Sequence, residues 1–284
     1  MWISDQKRKR NGRFFDRVLW KFYPIDKNIQ SRRMIFCVNP GRSGSKYLAN
    51  VLNTASEVSA YHEASPVMGG KYIYMINNFP YNISKKERAL KPKAIIKLLK
   101  KMPETSVYAE TNHLFIHTFY DVILDNCKNV QLVWLERDPG LVLKSFLELG
   151  YFSDKNTNWP FWFPSPNAVT AAKPSYCSLS DMNHSERCIA YLADFYARAT
   201  RLASEYPENE IFHITIDELN SSDHVKPLFD KLEITPTKET VQQTGNKLNS
   251  KNDSRGSYIS LEYCWEQIRR FDEMRYDSGL KPRY

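Results

Sequence analysis

No Cys-x-x-Cys pair occurs in this chain. Its five cysteines, at positions 37, 127, 177, 188 and 264, are scattered through 284 residues. That scatter excludes a zinc-ribbon or dithiol redox signature, and an odd count suits a reducing compartment. No apolar run approaches the roughly 20 residues that cross a bilayer, and Met1 to Arg33 lacks the apolar stretch of a secretory leader. The expectation is a cytoplasmic protein, or a lumenal one if the sequence given begins beyond an anchor. There is no repeat, no long Gly/Ser linker and no low-complexity block. Residues 34–284 therefore read as one domain, and residues 1–33 as a basic segment docked on it or extending from it. Zinc-finger spacing, an RNP-like strand and a basic nucleic-acid helix are also missing, which speaks against a nucleic-acid partner. The net charge of +8, from 40 basic and 32 acidic residues, then favours anionic ligands of another kind. The local runs Lys7-Arg8-Lys9-Arg10 and Arg32-Arg33 read as solvated tails or faces.

What is present is an alternation. With 42% hydrophobic residues the chain has enough apolar surface for a sizeable core. Apolar runs predict strands at Met34–Val38, Glu57–Tyr61, Ser106–Ala109, Val130–Leu135 and Glu210–Ile214. Helical spacing predicts helices over Ser43–Thr54, Lys85–Lys101, Phe115–Asn126, Gly140–Leu149 and Ser185–Tyr206. Strands alternating with helices imply an α/β fold, a parallel sheet flanked by helices. Ligands of such sheets collect at the carboxyl ends of the strands. Cys37, inside the first strand, reads as a small core residue.

Two segments carry chemistry. In Ile35-Phe36-Cys37-Val38-Asn39-Pro40-Gly41-Arg42-Ser43-Gly44-Ser45-Lys46-Tyr47-Leu48, an apolar strand runs into a Gly/Ser turn and then a helix start. Small residues let successive N–H groups and the positive helix end face an anion, and Arg42, Ser43, Ser45 and Lys46 add side-chain donors. It is not a Walker A loop: Lys46 follows Ser45, and Asn39 stands where the first Gly would be. The second segment, Val130-Gln131-Leu132-Val133-Trp134-Leu135-Glu136-Arg137-Asp138-Pro139, is a buried strand ending in a charged turn. Arg137 at its end can grip a phosphate through its planar fork, or form a structural pair with Asp138.

In this order the two segments resemble the sulfotransferase family. The first is similar to its 5′-phosphosulfate loop, where Arg or Lys precedes Ser-Gly-Thr/Ser. The second is similar to its 3′-phosphate segment, a strand followed by Arg-Asp/Asn-Pro/Gly and then a Ser eight residues after the Arg, here Ser145. The resemblance implies a P-loop-like sulfotransferase core. The donor would be 3′-phosphoadenosine-5′-phosphosulfate, the product adenosine 3′,5′-bisphosphate, and no metal would be needed. The acceptor would be a hydroxyl or amine of a glycan, lipid or small molecule, attacked in line. Backbone N–H groups of Ser43, Gly44, Ser45, Lys46 and Tyr47 would hold the 5′-phosphate, Arg42 would neutralise the leaving oxygen, and Arg137 with Ser145 would hold the 3′-phosphate. Lys46 either assists or points to solvent.

Transfer also needs a base. Several Golgi and bacterial sulfotransferases use a Glu after their phosphosulfate loop, and Glu63, in Ala60-Tyr61-His62-Glu63-Ala64-Ser65-Pro66, stands in a corresponding place. Beside an apolar pocket its pKa would be raised. His62 is a rival, being near neutrality unperturbed. Cytosolic sulfotransferases take a His from a later strand, which makes Glu110 and His113 reserve candidates. Arg255-Gly256 is either the counterpart of the family's late Arg-Lys-Gly loop or an ordinary polar loop. Thr215-Ile216-Asp217 stands where the cytosolic enzymes often carry a Tyr. The aromatic run Asn158-Trp159-Pro160-Phe161-Trp162-Phe163-Pro164 either stacks on an acceptor or packs onto the core. Two other classes fit the loop pattern: a P-loop-like kinase, and a non-catalytic nucleotide binder of the same fold.

Overall fold

The computed structural model describes residues 31–174, 177–244 and 259–282. Residues 1–30 of the basic segment and the Arg255-Gly256 loop lie outside the described residues. The strands are β1 (Met34–Val38), β2 (Val58–His62), β3 (Val107–Thr111), β4 (Val130–Glu136) and β5 (Ile211–Thr215). They form one sheet in the order β2-β3-β1-β4-β5, and every pairing is parallel.

Parallel strands buried on both faces need apolar side chains in both directions. β1 meets that demand at all five positions. Met34, Phe36 and Val38 join Leu132 and Trp134 of β4 in one core layer, while Ile35 and Cys37 join Val133 and Leu135 in the other. Cys37 is the core residue expected, its thiol pushed up to about 12 by burial. All five cysteines are free.

Helices cover both faces. They are α1 (Ser45–Leu52), α2 (Lys71–Asn78), α3 (Tyr81–Arg88), α4 (Leu90–Leu99), α5 (Tyr120–Leu124), α6 (Pro139–Glu148), α7 (Trp159–Trp162), α8 (His184–Glu205), α9 (Ile216–Leu219), α10 (Ser222–Lys231), α11 (Lys238–Thr244) and α12 (Leu261–Met274). A π-helical turn, Phe115–Phe119, leads into α5. A third core cluster joins α6, α8 and α12. The long α8 starts at a full capping box, Asn183 with Glu186, which satisfies two end donors at once. Among the described residues no helix is long and apolar enough to cross a membrane.

Several elements differ from those expected, among them the helix over Phe115–Asn126, which is the π-helical turn followed by the short α5. The single helix expected over Lys85–Lys101 is two, broken at Ala89. Pro92 has no N–H to give the Arg88 carbonyl, so the helix restarts with Pro92 in its first turn, where that loss is harmless. Arg88 and Lys91, on either side of the break, are both fully buried. Finally, β3 runs two residues further than expected and takes Glu110 into the sheet.

Candidate functional site

The carboxyl ends of β1 to β4 put the candidate residues along one edge. After β1 the loop is shaped by Asn39, whose buried Oδ1 accepts from Gly41 N at 3.0 Å and Ser43 Oγ at 3.3 Å. Gly41, Arg42 and Gly44 all have positive φ, 84°, 59° and 95°. A Cβ at position 44 would also crowd the end of the Ile216 side chain, which would have to shift. Gly44 therefore caps α1, which starts two residues later than expected, and no side chain caps that end. The first-turn donors are left to face outward. Tyr47 N is spent on Gly44 O at 2.9 Å, so the run of donors expected from Ser43 to Tyr47 ends at Lys46. The Lys46 side chain is exposed. From beneath, Tyr191 Oη donates to Pro40 O at 2.9 Å and lies 3.0 Å from His117 Nε2, tying the loop to α8.

After β4, Asp138 accepts from Leu141 N at 3.0 Å and caps α6, with Pro139 in the first turn. Arg137 is thereby turned toward the first loop. Its Nη1 donates to the Arg42 carbonyl at 2.6 Å, and Arg42 Nε donates to Ser145 Oγ at 3.0 Å. Arg42, Arg137 and Ser145 thus meet in one place, although the segments lie about a hundred residues apart. Burial and the adjacent Arg42 charge weaken Arg137's hold on its proton. Two positive side chains brought into one region favour anionic groups there.

Glu63 follows β2 and has a φ of 52°, with its N–H on Thr111 O at 3.2 Å. A left-handed conformation at a non-glycine residue costs about 1 kcal/mol and persists only where neighbours impose it. Arg42 and Glu63 are two of the four such residues described. The Glu63 side chain is 28% exposed, and its Oε1 lies 3.2 Å from His113 Nδ1 and 3.9 Å from His62 Nε2. The expected rise in its pKa is corrected here. Burial does raise it, but the His113 hydrogen bond and the charges of His113, His62 and Lys91 outweigh that and hold it below the usual range. His62 Nδ1 is engaged by the Thr111 carbonyl and hydroxyl, at 3.0 and 3.1 Å.

Glu110 faces the interior. Lys91 Nζ at 2.7 Å, Tyr108 Oη at 2.6 Å and Asn112 Nδ2 at 2.9 Å all donate to it, and both ends of the Lys91–Glu110 pair are fully buried. It meets no acceptor there. The aromatic run divides between its two readings: Phe163 is buried and Trp159 packs on Phe152 at 4.7 Å, whereas the Phe161 ring is 47% exposed.

Solved structures share this architecture. Sulfotransferase STF1 from Mycobacterium tuberculosis H37Rv superposes with a TM-score of 0.54 at 11% identity, over 89% of this chain and 80% of that one. The chain has the sulfotransferase fold. The sulfotransferase domain of the curacin biosynthetic pathway aligns at a TM-score of 0.49 and 14% identity, over 75% of this chain and 77% of that one. Mouse sulfotransferase SULT7A1, complexed with PAP, aligns at 0.42 and 14% identity, over 76% and 62%. No protein-family model and no curated protein sequence matches the chain.

Two residues of this sulfotransferase-fold edge escaped the sequence reading. Asn39 acts through its Oδ1, and an Asn two residues before a Gly is the signal of an Asx turn. Lys91 donates to Ala64 O at 2.6 Å and Pro66 O at 3.4 Å as well as to Glu110, fastening the loop after Glu63. Nothing in Leu90-Lys91-Pro92 marks a buried lysine.

Proposed function

We propose that this protein is a sulfotransferase, moving a sulfuryl group from 3′-phosphoadenosine-5′-phosphosulfate to a hydroxyl or amine of a glycan, lipid or small molecule. Residues 34–284 would act as one catalytic unit. The observation that carries the reading is the meeting of the two anion-seeking segments, Arg137 on the Arg42 carbonyl and Arg42 on Ser145. A nucleotide with phosphates at both ends needs two such grips in one cleft.

In this scheme the donors from Ser43 to Lys46 and the amino end of α1 hold the 5′-phosphate. Arg137 and Ser145 hold the 3′-phosphate, and Arg255 with Gly256 would cover it. The acceptor oxygen attacks sulfur in line while the bond from sulfur to the phosphate oxygen breaks. That oxygen leaves with the electron pair, and Arg42 stabilises its charge. Glu63 Oε2 takes the acceptor's proton, since both histidine contacts fall on Oε1. Fixed cations carry the electrostatics, so the reading calls on no metal. The exposed Phe161 ring offers a face for a sugar or a flat lipophilic acceptor.

The test is a screen with radiolabelled-sulfate donor against glycans, lipids, phenols and peptides. Transfer to one acceptor class, lost in Glu63→Gln, is the expected result. Tight bisphosphate binding without transfer to any class would make the protein a binder of the same fold. Turnover of ATP with magnesium would make it a kinase.

A further inference from the structure

Glu63 and His113 enter the sequence reading as rival bases, but in the structure they touch. His113 Nδ1 lies 3.2 Å from Glu63 Oε1, and Nε2 lies 3.0 Å from the Trp162 carbonyl oxygen. Both neighbours are acceptors, for an ionised carboxylate and a backbone carbonyl have no proton to give. A neutral imidazole donates from one nitrogen only. The Trp162 hydrogen bond and the Glu63 ion pair are therefore favourable together only when the ring carries two protons, one N–H toward each acceptor. The ring is also held in place. Phe163 packs on it at 5.0 Å between centroids, and a Cβ on Gly41 would lie 3.6 Å from its Cγ. With both nitrogens engaged and the residue 6% exposed, His113 presents no nitrogen to an incoming hydroxyl.

We propose that His113 is a positioning residue for Glu63: the doubly protonated ring fixes Oε1, leaves Oε2 to receive the acceptor's proton, and through its second N–H ties the pair to the aromatic loop. The inference deepens the sulfotransferase reading and rests on Glu63 as its base. It also gives Trp162 a role in its backbone, so that the aromatic loop and the base move as one.

The charged groups facing the pair agree with it. His62 at the end of β2 is 3.9 Å from the same Oε1. Lys91 from α4 adds positive charge felt by Glu63, though its own partner is Glu110 of β3. His117, from the π-helical turn, is held neutral by burial and by the charges of Arg198 and His113. The balance around Glu63 is positive, and its carboxylate stays below the usual range despite burial. A base so placed is ionised when the acceptor arrives. Once it has taken the proton, the adjacent cation helps expel it to water, which resets the site.

Two measurements on the full chain test this. Nitrogen NMR of the His113 ring at pH 7 is expected to show protons on both nitrogens, one of them lost in Glu63→Gln; a neutral ring in the wild type overturns the proposal. His113→Gln keeps an amide donor near Glu63 but removes the charge. Its kcat is expected to fall by about tenfold or more, with the donor KM within about twofold. The acidic limb of its kcat/KM profile should move to higher pH. A purely structural residue would lower the amount of active enzyme and leave the limb in place, and an unmoved limb overturns the proposal. The underlying reading fails separately. Wild-type turnover in Glu63→Gln removes the base whatever the ring carries, whereas an inactive Glu63→Gln with a neutral ring sinks the positioning role alone.

Discussion

Replacing Lys91 by Met tests how the base loop is held. Both side chains of the Lys91–Glu110 pair are fully buried, 2.7 Å apart. Removing one partner of a buried pair costs about 3–5 kcal/mol, because the other charge is left behind. Here Tyr108 and Asn112 still donate to Glu110, which places the loss near the lower end, about 3 kcal/mol by the same argument. Met keeps most of the aliphatic stem, so the cavity left is small, but it gives up the ammonium that sits 5.1 Å from the centre of the Phe119 ring. The carbonyls of Ala64 and Pro66 lose their donor as well. Equilibrium urea unfolding near neutral pH measures the loss. Adding Glu110→Gln should restore more than half of it, since the stranded charge is gone, and the double-mutant cycle then reports a coupling of about 1–3 kcal/mol. Transfer by the single variant should fall with it, because the loop after Glu63 is released. A loss below about 1 kcal/mol, or strict additivity in the cycle, would refute the reasoning.

Three further outcomes are expected. Glu63→Gln should cut kcat by about 10²-fold or more while leaving donor affinity nearly unchanged, read by steady-state kinetics and by calorimetry with the bisphosphate. His117 is held well below its ordinary value by burial and by the Arg198 and His113 charges, so below about pH 6.5 the unfolded chain binds a proton that the folded one refuses. Its contribution is complete above that pH and is lost as the pH falls, by up to about 1.4 kcal/mol per unit. Urea unfolding at pH 7 and 5.5 should show a shallower fall in His117→Gln than in the wild type. Gly44→Ala should lose about 1–3 kcal/mol of stability, and the double variant Gly44→Ala/Ile216→Val should recover only the packing part, because the backbone at φ 95° stays strained.

The sheet was legible because its physics is local. Apolar runs such as Met34–Val38 and Val130–Leu135 have little choice but burial, and their flanking Gly/Ser and Arg-Asp-Pro turns declare where the strands end. The two anion segments were legible for the same reason, since residue type and order carry them. What the sequence hid depends on distant partners. Glu110 reads as a polar strand-end residue until Lys91, nineteen positions earlier, is seen to face it. His113 reads as a reserve base until Glu63 and Trp162 engage both its nitrogens. The sign of the Glu63 shift also went unread, because it is set by His113, His62 and Lys91, which the fold gathers from the turn after β3, from β2 and from α4. The helix break at Ala89 was there to be read in Pro92, but the basic, helical-looking composition on both sides concealed it.

The central claim is that Arg42 and Arg137 grip opposite ends of one nucleotide. Calorimetric titration of the full chain with adenosine 3′,5′-bisphosphate and with adenosine 5′-phosphate tests it directly. Charge-assisted contacts of about 1.5–3 kcal/mol each predict that the bisphosphate binds at least about tenfold more tightly. Arg137→Ala should erase most of that preference and leave 5′-phosphate binding in place. Equal affinity for the two nucleotides in the wild type, or a preference that survives Arg137→Ala, would contradict the account.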